Sequence, residues 1–247
     1  QTGPELNFPH MGHTATLLPD GRVVIIGGLS DWANGVRLGY AEIFDPATNS
    51  WTVAAGQSGK PRYQHTATLL QDGRILVVGG SEAFGGVVDS AEIFDPATGL
   101  FAPVASPGAM KQHSAVALAG GDVLVFGGQG TVTSAWRYNV AGNQWTFAGN
   151  GPGGFDGKAV RLDNGKVVAG GQVYDPATNA WSAIAQPPDG WYPGGAGGAG
   201  VAVNGAAGFS GFGIRVTYFS NNTWSNSTPQ LISRSYHAAT AVDGAVM

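Results

Sequence analysis

The stretch HTATLLPDGRVVIIGG occupies residues 13–28, and a near copy, HTATLLQDGRILVVGG, occupies residues 65–80. A third copy, HSAVALAGGDVLVFGG, covers residues 113–128. Weaker or partial copies begin near residues 157, 197 and 237. Self-similarity at a period of about 40 to 50 residues is the signature of tandem structural units. We therefore predict an array of similar units that runs along the whole chain.

Each unit reads as four short strands separated by turn residues. Asp20-Gly21 and Asp72-Gly73 lie between two apolar runs, which predicts a two-residue hairpin between the first and second strands. A second segment, AEIFDPATNSW in the first repeat and ending at Trp51, predicts a third strand that an Asp-Pro turn closes onto a fourth. One repeat is thus a four-stranded antiparallel sheet, and such sheets in tandem predict a β-propeller.

The order His, Asp-Gly-Arg, β-branched run, Gly-Gly, Glu-aromatic-Asp-Pro and Trp resembles the kelch repeat. The resemblance extends from about residue 8 to residue 247, and it implies an all-β, kelch-type β-propeller. We predict one domain over residues 1–247, with five complete four-stranded blades and an extra C-terminal inner strand from the partial repeat 237–247. A six-bladed ring and a truncated larger propeller are the alternatives.

Composition excludes several classes of function. The chain has 41 glycines and only 11% charged residues, where about 25% is usual. Its net charge is −4 and it has no basic run, which argues against a nucleic-acid or anionic membrane partner. It has no cysteine, so no thiol serves as nucleophile or ligand. Because it begins with Gln1, we expect a secreted or extracytoplasmic protein. We also expect a monomer.

Four of the five histidines share one position of the repeat, at the start of the first strand. They are His13, His65, His113 and His237. One interpretation is that each histidine caps its own blade. The other is that the four imidazoles converge at the mouth of a central channel, where they would bind iron, copper or zinc. Gly157 and Gly197 take the place of the histidine in two repeats, which would leave an open side for substrate.

A more distant resemblance bears on the metal hypothesis. Galactose oxidase and its relatives are kelch-type propellers whose copper is held by two tyrosines and two histidines. Tyr236-His237 is similar to that family's adjacent pair, and Tyr63 lies where the second tyrosine would fall. The family's radical cofactor needs a cysteine, which this chain lacks. The resemblance therefore does not imply a copper-radical oxidase here.

The long connections between strands differ from repeat to repeat, and variable loops on a rigid scaffold are where binding usually occurs. Exposed aromatic rings in such loops stack on sugars or anchor peptides. The candidate ligand-binding residues are Trp32, Trp191, Tyr63 and Tyr236. We predict a module that binds a protein or a carbohydrate through its loop face, with a metalloenzyme using the histidine ring as the alternative. Glu42 and Glu92, which recur in AEIFDP, are interpreted as structural.

Overall fold

The structure is a computed structural model. It describes residues 4–31, 36–82, 85–129, 133–153 and 159–184, and beyond these the backbone of the strands between residues 199 and 246. The chain divides into two compact units. The first comprises Gln1–Gln112 with Asn139–Trp145, and the second comprises His113–Tyr138 with Thr146–Met247. Among the described residues, no helix is long and apolar enough to cross a bilayer.

The first unit contains two four-stranded antiparallel sheets. Sheet 1 has the order β1-β2-β5-β6 and consists of β1 (Thr14–Leu17), β2 (Val23–Ile26), β5 (Ala41–Asp45) and β6 (Ser50–Val53). A small hairpin of β3 (Leu29–Asp31) and β4 (Val36–Arg37) lies in the connection between β2 and β5. Sheet 2 consists of β7 (Thr66–Leu69), β8 (Ile75–Val78), β9 (Ala91–Asp95) and β10 (Leu100–Val104), again in chain order.

Three more sheets repeat the pattern of four strands in chain order. Sheet 3 consists of β11 (Ser114–Ala117), β12 (Val123–Phe126), β13 (Ser134–Asn139) and β14 (Gln144–Asn150). Sheet 4 consists of β15 (Ala159–Arg161), β16 (Val167–Ala169), β17 (Gln172–Asp175) and β18 (Ala180–Ala183). Sheet 5 consists of β19 (Ala199–Val203), β20 (Ala206–Ser210), β21 (Val216–Ser220) and β22 (Thr223–Asn226). The predicted four-stranded repeat is confirmed, while the number of blades in a closed ring stays a prediction.

The C-terminal segment pairs with itself in the part that the structure describes. β23 (Ala241–Val242) and β24 (Ala245–Val246) form a two-stranded antiparallel sheet that lies near β19. The sequence predicts a single inner strand here. The intervening Asp-Gly is a typical hairpin sequence, which accounts for two short strands in place of one long one. Residues 227–240 lie outside the described residues.

The hairpin between the first two strands has three loop residues, so the predicted two-residue hairpin is wrong. In sheet 1 the Leu18 amide bonds to the Arg22 carbonyl, and the Gly21 amide returns to the Leu18 carbonyl. Gly21 has a φ of 90°. This is the arrangement of a tight turn followed by one left-handed residue, which needs only the glycine to have positive φ. Sheet 2 repeats it with Leu70, Gly73 and Arg74.

The second strands of sheets 1 to 4 are almost entirely buried. In the first unit Val24 and Ile26 of β2 pack with Ile75 and Val77 of β8 in one apolar cluster. Aromatic pairs across the third and fourth strands extend this packing: Phe44 with Trp51, Phe94 with Phe101 and Tyr174 with Trp181. The repeated aromatic at the start of the fourth strand is therefore a packing residue.

Candidate functional site

In sheets 1 and 2 the long connection between the second and third strands lies at the end opposite to the short turns. In sheet 1 the turns at residues 18–22 and 46–49 are at one end, because β1, β2, β5 and β6 alternate in direction. The connection over residues 27–40 is therefore at the other end, which we call the loop end. Sheet 2 has the same arrangement, with residues 79–90 at its loop end. The predicted separation of short turns from long connections is confirmed within these sheets.

Backbone hydrogen bonds join successive repeats at the loop end of the first unit. The Gln64 amide donates to the Gly12 carbonyl over 3.0 Å, and the Gln112 amide donates to the Gln64 carbonyl over 3.2 Å. These three residues, each directly before a repeated histidine, all have positive φ. A second pair of bonds runs from the Gly28 amide to the Arg62 carbonyl over 2.8 Å and from the Gly80 amide to the Met110 carbonyl over 2.7 Å. The positions before the inner strand thus connect one repeat to the next.

The repeated histidines of the first unit lie in two different environments. His13 is exposed, and its Nδ1 lies 2.8 Å from the carbonyl oxygen of His10. His65 is buried, and its Nε2 is hydrogen-bonded to Thr14 Oγ1 of sheet 1 over 2.9 Å. A Cβ added to Gly27 of sheet 1 would lie 3.0 Å from the His65 ring. His65 therefore fills the space between sheets 1 and 2.

His113 belongs to the second unit and is also buried, which lowers the pKa of its imidazole to about 3. His237, Gly157 and Gly197 lie outside the described residues. Within the described part of the chain, no three His, Cys, Asp or Glu side chains are grouped as metal ligands. Iron or copper at the four-histidine ring stays a prediction, which elemental analysis of the purified protein would test.

Glu42 is fully buried in the third strand of sheet 1 and accepts four hydrogen bonds. The donors are the Asn7 amide and side chain, the Phe8 amide and His10 Nε2, at 2.7 to 3.0 Å. Burial alone would raise the pKa of this carboxyl. The hydrogen bonds from Asn7, His10 and Phe8 outweigh burial, so the pKa lies below its ordinary value. Glu42 is therefore a carboxylate that holds the segment 7–10 on sheet 1.

Glu92 has the same role in sheet 2. It accepts hydrogen bonds from Ser58 Oγ, the Gly59 amide and Arg62 Nη2, the last over 2.6 Å. The Arg62 guanidinium also donates to the carbonyl oxygens of Gly79 and Ser90. Burial lowers the pKa of Arg62, and the Glu92 charge opposes that effect. The interpretation of the recurrent glutamates as structural agrees with these contacts.

Apolar side chains are exposed at the loop end of the first unit. Met11, Val36 and Val87 expose 42%, 50% and 37% of their surface. Tyr63 is partly exposed and lies against Gly12, which follows Met11 in the chain. Its backbone pairs with Ser81, which also pairs with Val87. Of the four predicted ligand-binding residues, Tyr63 is placed at the loop end. The other three lie outside the described residues: Trp32, Trp191 and Tyr236.

The model of the kelch motif matches residues 12–56, 61–108 and 110–152, which together make up more than half of the chain. The chain belongs to the kelch-repeat family. The matched segments contain all of sheets 1, 2 and 3. The resemblance on which the fold was predicted is therefore confirmed.

Curated relatives carry kelch repeats within longer proteins. Kelch-like protein 25 of Xenopus tropicalis is 25% identical over 196 residues, covering 72% of this chain and 30% of that protein. Kelch-like protein terF of Aspergillus terreus is 25% identical over 67% of this chain and 40% of its own length. F-box/kelch-repeat protein At1g22040 of Arabidopsis thaliana is 29% identical over 66% of this chain and 30% of its own. This kelch chain thus spans 30 to 40% of the length of these relatives.

A solved structure shows the same fold. YjhT superposes with a TM-score of 0.70 at 18% identity, and the match covers 99% of this chain and 91% of that one. At this identity the likeness supports the propeller fold and nothing about a ligand.

Sequence reasoning missed the partners of the buried glutamates in the kelch repeats. Glu42 and its partners are separated by 32 to 35 residues along the chain, and Glu92 and its partners by 30 to 34. One signal could have found them, because His10 and Arg62 each lie three residues before a repeated histidine. In the third repeat, Met110 takes the position of His10 and Arg62, and Trp136 takes the position of the glutamate. The basic residue and the glutamate are therefore replaced together.

Proposed function

We propose that this kelch-repeat chain is a binding module that holds a protein ligand at the loop end of its sheets. Kelch-repeat propellers are typically protein-binding modules, and the relatives above are named for these repeats. The observation that carries the proposal is the group of exposed apolar side chains at the loop end of the first unit, formed by Met11, Val36 and Val87 with Tyr63.

The chemistry of this surface suits a protein better than a polar ligand. Methionine and tyrosine are enriched in protein interfaces, and methionine adapts its shape to different partners. Burying the exposed part of these side chains would contribute about 25 cal/mol for each Å² of apolar area removed from water. Hydrogen bonds between the repeats hold Gly12 and Gln64 in place, so the surface loses little conformational freedom when a ligand binds.

Selection of peptides from a displayed random library against the purified chain tests this proposal. Met11, Val36 and Val87 are replaced together by serine in one variant. The matched control replaces Val53 and Leu100, which are exposed to 42% and 52% on the outer strands β6 and β10. We expect selected peptides to lose at least about tenfold in affinity for the first variant, because hot-spot contacts exceed about 1.4 kcal/mol. The control should bind as the wild type does.

Two outcomes would contradict the proposal. Peptides that bind the loop-end variant normally but fail on the outer-strand control would place the site elsewhere. A chain that selects no peptide but binds members of a glycan array would be a carbohydrate-binding module instead.

A further inference from the structure

His10 lies between two hydrogen-bond acceptors. Its Nδ1 is 2.6 Å from the carbonyl oxygen of Gly27, and its Nε2 is 3.0 Å from Oε1 of Glu42. The side chains of His10 and Glu42 have no exposed surface. A neutral imidazole carries one N–H, so it donates to only one of two acceptors. Donating to both acceptors requires an N–H on each ring nitrogen. That is one proton more than a neutral histidine beside a carboxylate supplies.

The extra proton belongs on the imidazole. Glu42 accepts hydrogen bonds from the Asn7 side chain and from the Asn7 and Phe8 amides, and these donors require lone pairs on both carboxylate oxygens. The same bonds keep the pKa of Glu42 below its usual value against the effect of burial. A buried carboxylate beside an imidazolium is also a compensated charge, whereas beside a neutral ring it is not.

Other titratable groups near this pair do not supply the missing proton. His13 approaches edge-on, with its ring centre 5.9 Å from that of His10 and its Nδ1 directed to a carbonyl oxygen. From the neighbouring sheet, two residues lie close to Gly27: Arg62 with its carbonyl oxygen and His65 with the edge of its ring. Tyr40 bonds to Gly27 through its carbonyl, and its ring stacks on Phe8. Glu42 is thus the anionic partner that the His10 ring contacts.

Sheet 2 contains the same hydrogen-bonded arrangement with a permanent cation in place of the histidine. Arg62 lies at the position of His10, bonds to Gly79 where His10 bonds to Gly27, and pairs with Glu92 where His10 pairs with Glu42. A guanidinium stays charged at every pH at which proteins fold. The two repeats therefore differ in one respect that matters for pH, since an imidazole loses its second proton near neutrality and a guanidinium does not.

We propose that His10 and Glu42 form a proton-dependent clasp that docks the segment 7–10 on sheet 1. A histidine free in water loses its charge above pH of about 6.5. Below that pH docking needs no proton uptake, and above it docking takes up one proton and weakens up to about tenfold for each pH unit. Met11, directly after the clasp, is hydrogen-bonded to Leu29 of β3, so release of the segment loosens the first strand of the connection 27–40.

The protonation state of His10 is tested directly by NMR. Long-range proton–nitrogen spectra of the histidine rings distinguish an imidazolium, with both nitrogens protonated, from the neutral tautomers. At pH 7.5 we expect His10 to show the imidazolium pattern. A neutral tautomer at His10 at this pH would overturn the proposal.

The clasp itself is tested by amide hydrogen exchange at Asn7 and Phe8, whose N–H groups donate to Glu42. After correction for intrinsic exchange, the opening constant should rise by up to about thirtyfold between pH 7 and 8.5 in the wild type. His10→Arg copies the sheet 2 residue and should abolish that rise while keeping protection. His10→Gln should leave both amides open at every pH. An equal rise in the wild type and in His10→Arg would overturn the proposal.

Discussion

Histidines at one repeat position lie in different environments. His13 is exposed to solvent, His65 is buried against sheet 1 through Thr14, and burial of His113 lowers the pKa of its imidazole to about 3. A buried imidazole that is neutral avoids the large cost of burying a charge. It becomes a cost when acid protonates the unfolded chain but not the folded one.

His113 should therefore make the protein less stable in mild acid. Its folded pKa lies below the value of about 6.5 expected in the unfolded chain. The free energy of unfolding is then largest above pH 6.5 or so and falls as the pH drops toward 3, by up to about 1.4 kcal/mol for each pH unit. Urea denaturation at pH 7 and pH 5 measures the fall. His113→Gln should reduce it, and His13→Gln, an exposed control, should not.

One result would contradict this account of His113. If His113→Gln and the wild type lose the same free energy of unfolding between pH 7 and pH 5, protonation of His113 has no part in acid sensitivity.

The third strand of each of the first two sheets contributes a buried carboxylate that holds the preceding connection. In sheet 2, hydrogen bonds to Glu92 of β9 hold residues 58–62, and one of them comes from Arg62. Both side chains of the pair are buried. Arg74 and Asp72 form a pair of the same chemistry at the turn end, with more than 40% of each side chain exposed. Comparing the two arginine–carboxylate pairs therefore isolates the effect of burial on stability.

Replacing Arg62 by methionine should reduce the free energy of unfolding by about 3–5 kcal/mol, because it leaves Glu92 buried without its cation. Arg74→Met should cost less than about 1 kcal/mol, since exposed pairs contribute little. Chemical denaturation at pH 7 measures both. The double variant Arg62→Met with Glu92→Leu should recover part of the loss, because it removes the buried charge as well. Equal losses for Arg62→Met and Arg74→Met would contradict this account.

The sequence predicts elements better than it predicts the contacts between them. The strands, the Asp-Pro turns and the packing role of Trp51 follow from local patterns, and the structure confirms them. The hairpin at Gly21 was placed correctly but one residue too short, because Asp-Gly is compatible with both turn types. The clasp at Glu42 was missed, since its partners lie more than 30 residues away and no local pattern connects them.

At the scale of the whole molecule, the chain is a series of similar sheets, and repeat proteins gain stability from contacts between neighbours. The described end of the chain, β23 and β24, lies beside β19 of sheet 5. A terminal sheet without a neighbour leaves a face and an edge open to water. How the first and last repeats meet in a closed ring stays a prediction.

Removing residues 235–247 should lower the melting temperature by several degrees, because β19 loses its neighbour. For a domain of this size, each kcal/mol of lost stability corresponds to about 2–4 °C. Circular dichroism during heating measures the change. As a control, a Gly-Ser segment of equal length in place of residues 235–247 should melt as the deletion does. A deletion variant that melts like the wild type would show that this segment is a tail without a structural role.

The bonds from Gln64 to Gly12 and from Gln112 to Gln64 use backbone atoms only, and Gln64 supplies the donor to one neighbouring repeat and the acceptor to the other. Such a joint has the same form between any two copies, whatever side chains they carry. Duplication of a repeat in the gene would therefore produce a unit that already fits its neighbours on both sides. The same property relaxes selection on the side chains near the joint in the repeats that share it. Lineages of this protein should differ in repeat number more readily than in the backbone geometry of the joint.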